Sequence, residues 1–262
     1  MRRLPRIAPT HVFIHRIIDT DAVAADRGAL HAGGTPLERG DPSSSAVSGS
    51  YDPHVLTERR FEKFGFSPRF DATLDPEFPG DGDWHCEVFG FGRSGQIEPE
   101  FRSVWGTPMV VEVTSSTIPR WIGNFAAGGL GGVTGLFATP GAFQLCAVAD
   151  GLAYVVDVRR PDLGATPVQD QVVQVVATER GGVVLVVGPT DIVALGPTCV
   201  TWRTERLAVD DLRVVKVSGD LIECRCSMGG SDADEILGIN LLTGRQTAGT
   251  RFDGLWAPDA LA

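Results

Sequence analysis

The sequence predicts an all-β fold, an antiparallel meander arranged as a sandwich or in propeller-like fashion, with one short helix and an extended N-terminal arm. Three observations carry that expectation. The 29 residues from Trp121 to Ala149 pass without one formal charge, so this stretch belongs in an interior. Short runs rich in valine, isoleucine and leucine follow it, each closed by a local turn, as in an antiparallel meander. No helical crossover separates these runs, which argues against a parallel sheet covered by helices.

The elements follow in chain order. His11 to Ile18 reads as a strand, and Ala29 to Pro53 is rich in Gly, Ser, Pro and Asp, the composition of an extended arm or linker. The chain therefore divides into an arm, 1–55, and a β-rich domain, 56–262. His54 to Phe64 (HVLTERRFEKF) sets Val55, Arg59, Phe61 and Phe64 at spacings that suit one short helix with a charged outer face. Between Asp71 and Glu100 eight carboxylates stand against the single Arg93, the composition of a solvated loop. Trp84 to Phe91 alternates weakly, and Pro108 to Val113 reads more clearly as a strand.

Phe143 to Ala149 and Leu152 to Val158 form a hairpin across Asp150-Gly151, a two-residue turn that tolerates positive φ. Val172 to Val176, Val183 to Val187, Ile192 to Leu195 and Cys199 to Arg203 succeed one another through Gly-containing turns. Leu212 to Val217 pairs with Leu221 to Cys226 across Gly219-Asp220, and Glu235 to Leu241 ends at Thr243-Gly244. A closed propeller of four-stranded blades needs about sixteen strands, more than these runs supply.

Composition narrows the function. A formal charge of −10 disfavours nonspecific attraction to nucleic acid or anionic lipid, so neither is an expected partner. Of 23 basic residues only Lys63 and Lys216 are lysines, which leaves two candidates for any lysine-based chemistry. Five cysteines without a disulfide-type spacing suit a reducing compartment, and Pro5, His11, His15 and Arg16 interrupt any apolar leader, so the expected location is cytoplasmic. The uncharged stretch is long enough to span a bilayer, but its seven glycines with Asn124, Pro140 and Gln144 fit buried strands better than a lipid-facing helix.

Each motif that suggests chemistry meets a structural competitor. GGLGGVTG (Gly128 to Gly135) lacks the third glycine of a dinucleotide fingerprint and any Gly-Lys-Ser/Thr, so close strand packing is the expected role and no cofactor is implied. Alternation along the strand places Ile222, Cys224 and Cys226 on one face and Glu223 with Arg225 on the other, which makes the two thiols small buried hydrophobes. The densest set of metal-ligand types is Asp81 to Glu87, where Asp83, His85 and Cys86 are the candidates. It departs from the calcium loop and lacks the second ligand pair of a zinc site. Gly92-Arg93-Ser94-Gly95 is too short after the serine for a nucleophile elbow.

The most distinctive string runs from Val200 to Leu212 (VTWRTERLAVDDL), with Ala149 to Tyr154 upstream and Leu241-Leu242-Thr243-Gly244 downstream. Together they resemble a set of uncharacterised bacterial β-rich proteins with the pattern G-x-A-Y, W-x-T-x-R-L-x-x-D-x-L and L-x-T-G. The resemblance covers residues 128–250, departs at Thr198-Cys199 and Asn240, and implies a β-rich fold with no assigned activity. The residues themselves suggest a tryptophan packed over a strand end, with Arg203 or Arg206 bridging to Asp210 or Asp211. The candidate binding residues are accordingly Trp202, Arg203, Arg206, Asp210 and Asp211.

The expectation is a non-catalytic β-rich interaction protein, an accessory or immunity-type partner whose acidic surface meets a basic protein, with residues 1–55 as the arm that engages it. The alternative is a hydrolase or metal-dependent enzyme using the Asp83/His85/Cys86 region.

Overall fold

The computed structural model describes residues 14–16, 61–178, 182–229 and 234–252. Among them strands dominate, no α-helix occurs, and one turn of 3-10 helix spans Pro161–Leu163. The strands form four sheets. Sheet I joins β3 (Asp71–Leu74), β5 (Met109–Thr114), β6 (Trp121–Phe125) and β4 (Glu87–Phe91) in that spatial order. Sheet II runs β10 (Thr166–Gln169), β9 (Leu152–Asp157), β8 (Gln144–Ala149), β7 (Gly135–Ala138) and β2 (Phe61–Glu62). Sheet III runs β1 (Ile14–Arg16), β11 (Gln174–Thr178), β12 (Val183–Val187), β13 (Ile192–Gly196) and β14 (Cys199–Arg203), and sheet IV runs β15 (Asp210–Ser218), β16 (Leu221–Ser227), β17 (Glu235–Asn240) and β18 (Gln246–Ala248).

Sheets II, III and IV are built on consecutive antiparallel meanders, and the sheets stack face to face in chain order. One core layer joins Phe91, Val111, Trp121 and Phe125 of sheet I to Leu136, Leu145, Tyr154 and Val156 of sheet II. A second joins Phe137, Cys146, Val148 and Val155 of sheet II to Val184, Val186 and Val193 of sheet III. The third joins Leu185, Val187 and Ile192 of sheet III to Leu212, Ile222, Cys224 and Leu237 of sheet IV.

This stacking explains the hydropathy pattern. The central strands of sheets II and III are covered on both faces, so strands such as β9, β12 and β13 are almost uninterrupted apolar runs. Sheets I and IV are covered on one face, and β5 and β16 alternate buried with exposed positions. The uncharged stretch at Trp121 to Ala149 crosses from sheet I into the doubly covered sheet II. Each fully buried Val, Leu or Ile there contributes about 1.5–3 kcal/mol relative to exposure.

The predicted hairpin at Asp150-Gly151 is present, both residues at positive φ (47° and 86°). Ile222, Cys224 and Cys226 share the buried face as expected. Two expectations are corrected. The predicted helix over His54 to Phe64 is absent where the structure describes it. Phe61–Glu62 is a strand running parallel to β7, and His54 to Arg60 lie outside the described residues. Phe61 stacks on Phe70 in the first core layer, while Phe64 stacks on Phe137 in the second. The two aromatics read as one helical face straddle sheet II instead. The acidic segment after Asp71 begins with a strand, β3, not a loop.

Three side chains tie the layers together. The Tyr154 hydroxyl donates to the Ala126 carbonyl at 2.9 Å, and burial holds its pKa above the ordinary tyrosine range. The Trp121 indole donates to the Val158 carbonyl at 3.0 Å. Gln174, buried between sheets III and IV, donates from Nε2 to the Val214 carbonyl at 3.1 Å and accepts the Val214 N–H at 2.9 Å. Its amide thus serves β15 as a strand neighbour would. Ile14–Arg16 adds to the same framework: β1 runs parallel to β11, opposite to the antiparallel order of the meanders. No helix among the described residues is long and apolar enough to cross a membrane.

Candidate functional site

The predicted binding residues sit where the outer strand of sheet III meets the far end of sheet IV. A register shift between Ala194 and Leu195 lets β14 leave its ladder with Trp202 opposite Ala194 and Arg203 opposite Val193. Thr204 keeps the departing chain attached, donating its N–H to Ile192 and accepting the Ile192 N–H on Oγ1, both at 3.0 Å. The segment then crosses to sheet IV, held by Leu207 N–H on the Thr190 carbonyl and Leu212 N–H on the Pro189 carbonyl.

Trp202 packs over a strand end. Its indole donates to the Leu241 carbonyl at 2.9 Å, and its ring covers Gly244, where an added Cβ would stand 2.5 Å from the Trp202 ring. Gly244 closes the turn after β17 at φ +68°, a conformation glycine adopts without cost. Asn240 shapes that turn, its Oδ1 accepting from Leu242 N–H, Thr243 N–H and Thr243 Oγ1 at 3.0–3.1 Å. At the start of β18, Gln246 reaches forward, its Nε2 hydrogens shared among the carbonyls of Ala248, Gly249 and Thr250 at 2.8–3.3 Å. That bend turns the chain back so that Arg251 and Phe252 face the 203–207 crossing.

The result is an open groove of about 580 Å³ whose lining includes Arg203, Glu205, Arg206, Arg245, Arg251 and Phe252. Among the described residues four guanidiniums face one carboxylate there, in a chain whose formal charge is −10. Arg203 is anchored: it lies 3.4 Å from Asp191 Oδ2 and from Gln169 Oε1 and donates to the Val168 carbonyl. Arg206 is oriented by Nε on the Ala208 carbonyl at 2.9 Å and Nη2 on the Val209 carbonyl at 3.1 Å, and its guanidinium stands 4.9 Å from the Phe252 ring centre. Arg245 and Arg251 are exposed at the rim, and no carboxylate among the described residues stands within ion-pairing distance of either.

The predicted bridges from Arg203 or Arg206 to Asp210 or Asp211 are not formed. Asp191 takes Arg203, two backbone carbonyls take Arg206, and Asp211 pairs with Arg213 at 3.3 Å. Asp210 caps its own strand by accepting the Asp211 N–H at 2.7 Å. Both aspartates start β15 and lie outside the lining of the groove. Arg245 and Arg251 were missed because each is remote in sequence from Arg203 and sits in a segment without any motif. The only early signal was the Thr243-Gly244 turn that places Arg245.

The other candidate cluster lies on the loop before β4 in sheet I. His85 Nε2 is 2.6 Å from Asp81 Oδ2, and His85 Nδ1 is 3.8 Å from Asp83 Oδ2. The hydrogen bond from His85, with the Asp83 N–H beside it, holds the Asp81 carboxyl below its ordinary pKa. Burial raises the Cys86 thiol, against the smaller opposing pull of Arg120, toward its protonated and less nucleophilic form. Among the described residues no three of His, Cys, Asp and Glu converge as a metal-binding set. The structure does not bring this cluster together with Arg203 or Asp210, which belong to sheets III and IV.

The glycine cluster serves close approach. Gly128 N–H donates to the Ala149 carbonyl at 2.9 Å, and a Cβ on Gly132 would stand 2.6 Å from the Val172 carbonyl. Comparison with protein-family models, curated proteins and solved structures finds no match for this chain.

Proposed function

We propose that this chain is a non-catalytic binding protein of the accessory type, that its four sheets act as consecutive blades of an open, propeller-like stack, and that it engages a partner protein through the arginine-lined groove between sheets III and IV. The observation that carries this reading is the pair of guanidiniums, Arg245 and Arg251, that pair with no carboxylate among the described residues and stand beside the fixed Arg203 and Arg206. Arginine is the residue best suited to such a contact, because its planar fork binds carboxylates bidentately and is weakly hydrated. The groove reverses the charge sign expected of an interface on an acidic chain. Five cysteines without a disulfide support a reducing, cytoplasmic setting.

The arm of residues 1–55 was the expected contact for a partner. Its described part, β1, is engaged with sheet III of the same chain, and the remainder lies outside the described residues. The groove therefore takes precedence as the contact surface. Affinity capture from native lysate with the full chain and with the Arg245→Glu/Arg251→Glu variant tests the proposal. A partner held by the parent chain and lost by the variant is the expected result. Equal recovery by both, or none by either, overturns it.

A further inference from the structure

We infer that the groove receives an acidic peptide segment, its aspartate or glutamate carboxylates clamped by Arg245 and Arg251 against the fixed Arg206. This rests on the binding reading above and adds the chemistry of the occupant. The four guanidiniums differ in what they have left to offer. Arg203 is already neutralised by Asp191 and shares its donors with Val168 and Gln169. Arg206 uses Nε and one Nη2 hydrogen on its own loop, so its Nη1 hydrogens remain, on a guanidinium already oriented against Phe252. Among the described residues no side-chain or backbone acceptor takes a donor of the Arg245 or Arg251 guanidinium. Two free forks beside one oriented fork suit successive carboxylates on a short chain better than a single small anion.

The competing polyanion is nucleic acid, and two observations count against it. The pull of the groove's arginines is screened out over about 8 Å at physiological ionic strength, so a strand longer than the groove would leave their reach on a chain whose net charge is −10. Single-stranded nucleic acid also wants aromatic faces on which bases stack. Among the described residues one aromatic ring lines the groove, Phe252, and it has Arg206 over it. A short acidic segment of a partner needs neither a long basic track nor a stacking platform. The groove's volume of about 580 Å³ lies within the usual range for a ligand site, about 300–1,000 Å³.

Fluorescence anisotropy with fluorescein-labelled decaglutamate tests this, with labelled decalysine and a labelled ten-nucleotide oligothymidylate as the comparison arms. The full chain is expected to bind decaglutamate, with affinity falling about tenfold or more as salt rises from 50 to 300 mM. Arg245→Glu/Arg251→Glu is expected to lose at least tenfold and the milder Arg245→Ala/Arg251→Ala several-fold. Arg102→Glu, the same kind of charge reversal at one exposed residue outside the groove, should stay within about twofold. Unchanged circular dichroism and urea midpoint show that each variant is folded. Binding of decaglutamate that is equal in the groove variants, or oligothymidylate bound as tightly, overturns the inference. So does displacement of the peptide by inorganic phosphate at a concentration below that of free glutamate needed for the same effect, which would mark a phosphate site. If a lysate partner is captured through Arg245 and Arg251 while decaglutamate does not bind, the acidic-segment chemistry fails and the binding reading stands.

Discussion

Gln174→Met is the most informative single change in the framework that supports the groove. Methionine keeps the length and most of the volume of glutamine, so it opens no cavity, but it removes both hydrogen bonds to the Val214 backbone. Val214 is 4% exposed, and water has little access to the orphaned N–H and carbonyl. Leaving a buried polar group unpaired costs about 1–3 kcal/mol, so two such groups predict a loss of about 2–6 kcal/mol. Methionine is itself more apolar than the amide it replaces, which offsets part of this and favours the lower half of the range. Equilibrium urea unfolding followed by tryptophan fluorescence measures it, with an unchanged slope showing that the folded state has kept its compactness. Gln174→Ala should cost more than the methionine variant, because it adds a cavity. A loss below about 1 kcal/mol for Gln174→Met would show that the amide is not what holds β15 to sheet III.

Three further outcomes follow from the same geometry. Gly244→Ala combines a positive φ with a Cβ pressed on the Trp202 ring; backbone strain of about 1–2 kcal/mol and overpacking of about 1–3 kcal/mol should lower stability by about 2–5 kcal/mol and shift the tryptophan emission. Burial pushes the Cys146 and Cys224 thiols up to about 12, so Ellman's reagent at pH 8 should leave both unmodified in the native protein and titrate all five thiols in denaturant. Since these thiols ionise more readily when unfolded, stability is complete below pH 9 and falls as pH rises toward 12; between pH 9 and 10 the loss is about 1 kcal/mol per thiol, and Cys146→Val/Cys224→Val should flatten that slope in urea titrations at each pH. Arg203→Ala should release β10 from β14 and leave Asp191 short of its cation, costing about 1–3 kcal/mol in the same assay.

Much of the fold was legible because double-sided burial writes itself into sequence. The central strands of sheets II and III carry so few polar residues that only a covered position accounts for them, and Asp150-Gly151 marks its hairpin by the φ values that it permits. The alternation around Cys224 and Cys226 announced a one-sided sheet. What could not be read was any pairing across long separations. Phe61 and Phe64 share a spacing with a helix, and nothing local reveals that the edge of β7 is available for Phe61–Glu62. The groove was half legible: Trp202, Arg203 and Arg206 stood out as a string, but the acceptors of Arg203 lie on β10 and at Asp191, and nearer aspartates looked like better partners. Arg245 and Arg251 join them only because sheet IV folds back on sheet III.

The parallel strand β1 carries a consequence for how the molecule is made. Ile14 aligns with Val175, so a segment made before any of the meanders finds its place only after some 160 more residues have been synthesised, whereas each meander can zip up as soon as its own hairpins emerge. At about 5–20 residues per second, the leading segment waits roughly ten seconds or more with its edge unsatisfied. A nascent chain stalled before Val175 should therefore be cut by protease near residue 14 and resist cutting there once β11 and β12 have cleared the exit tunnel.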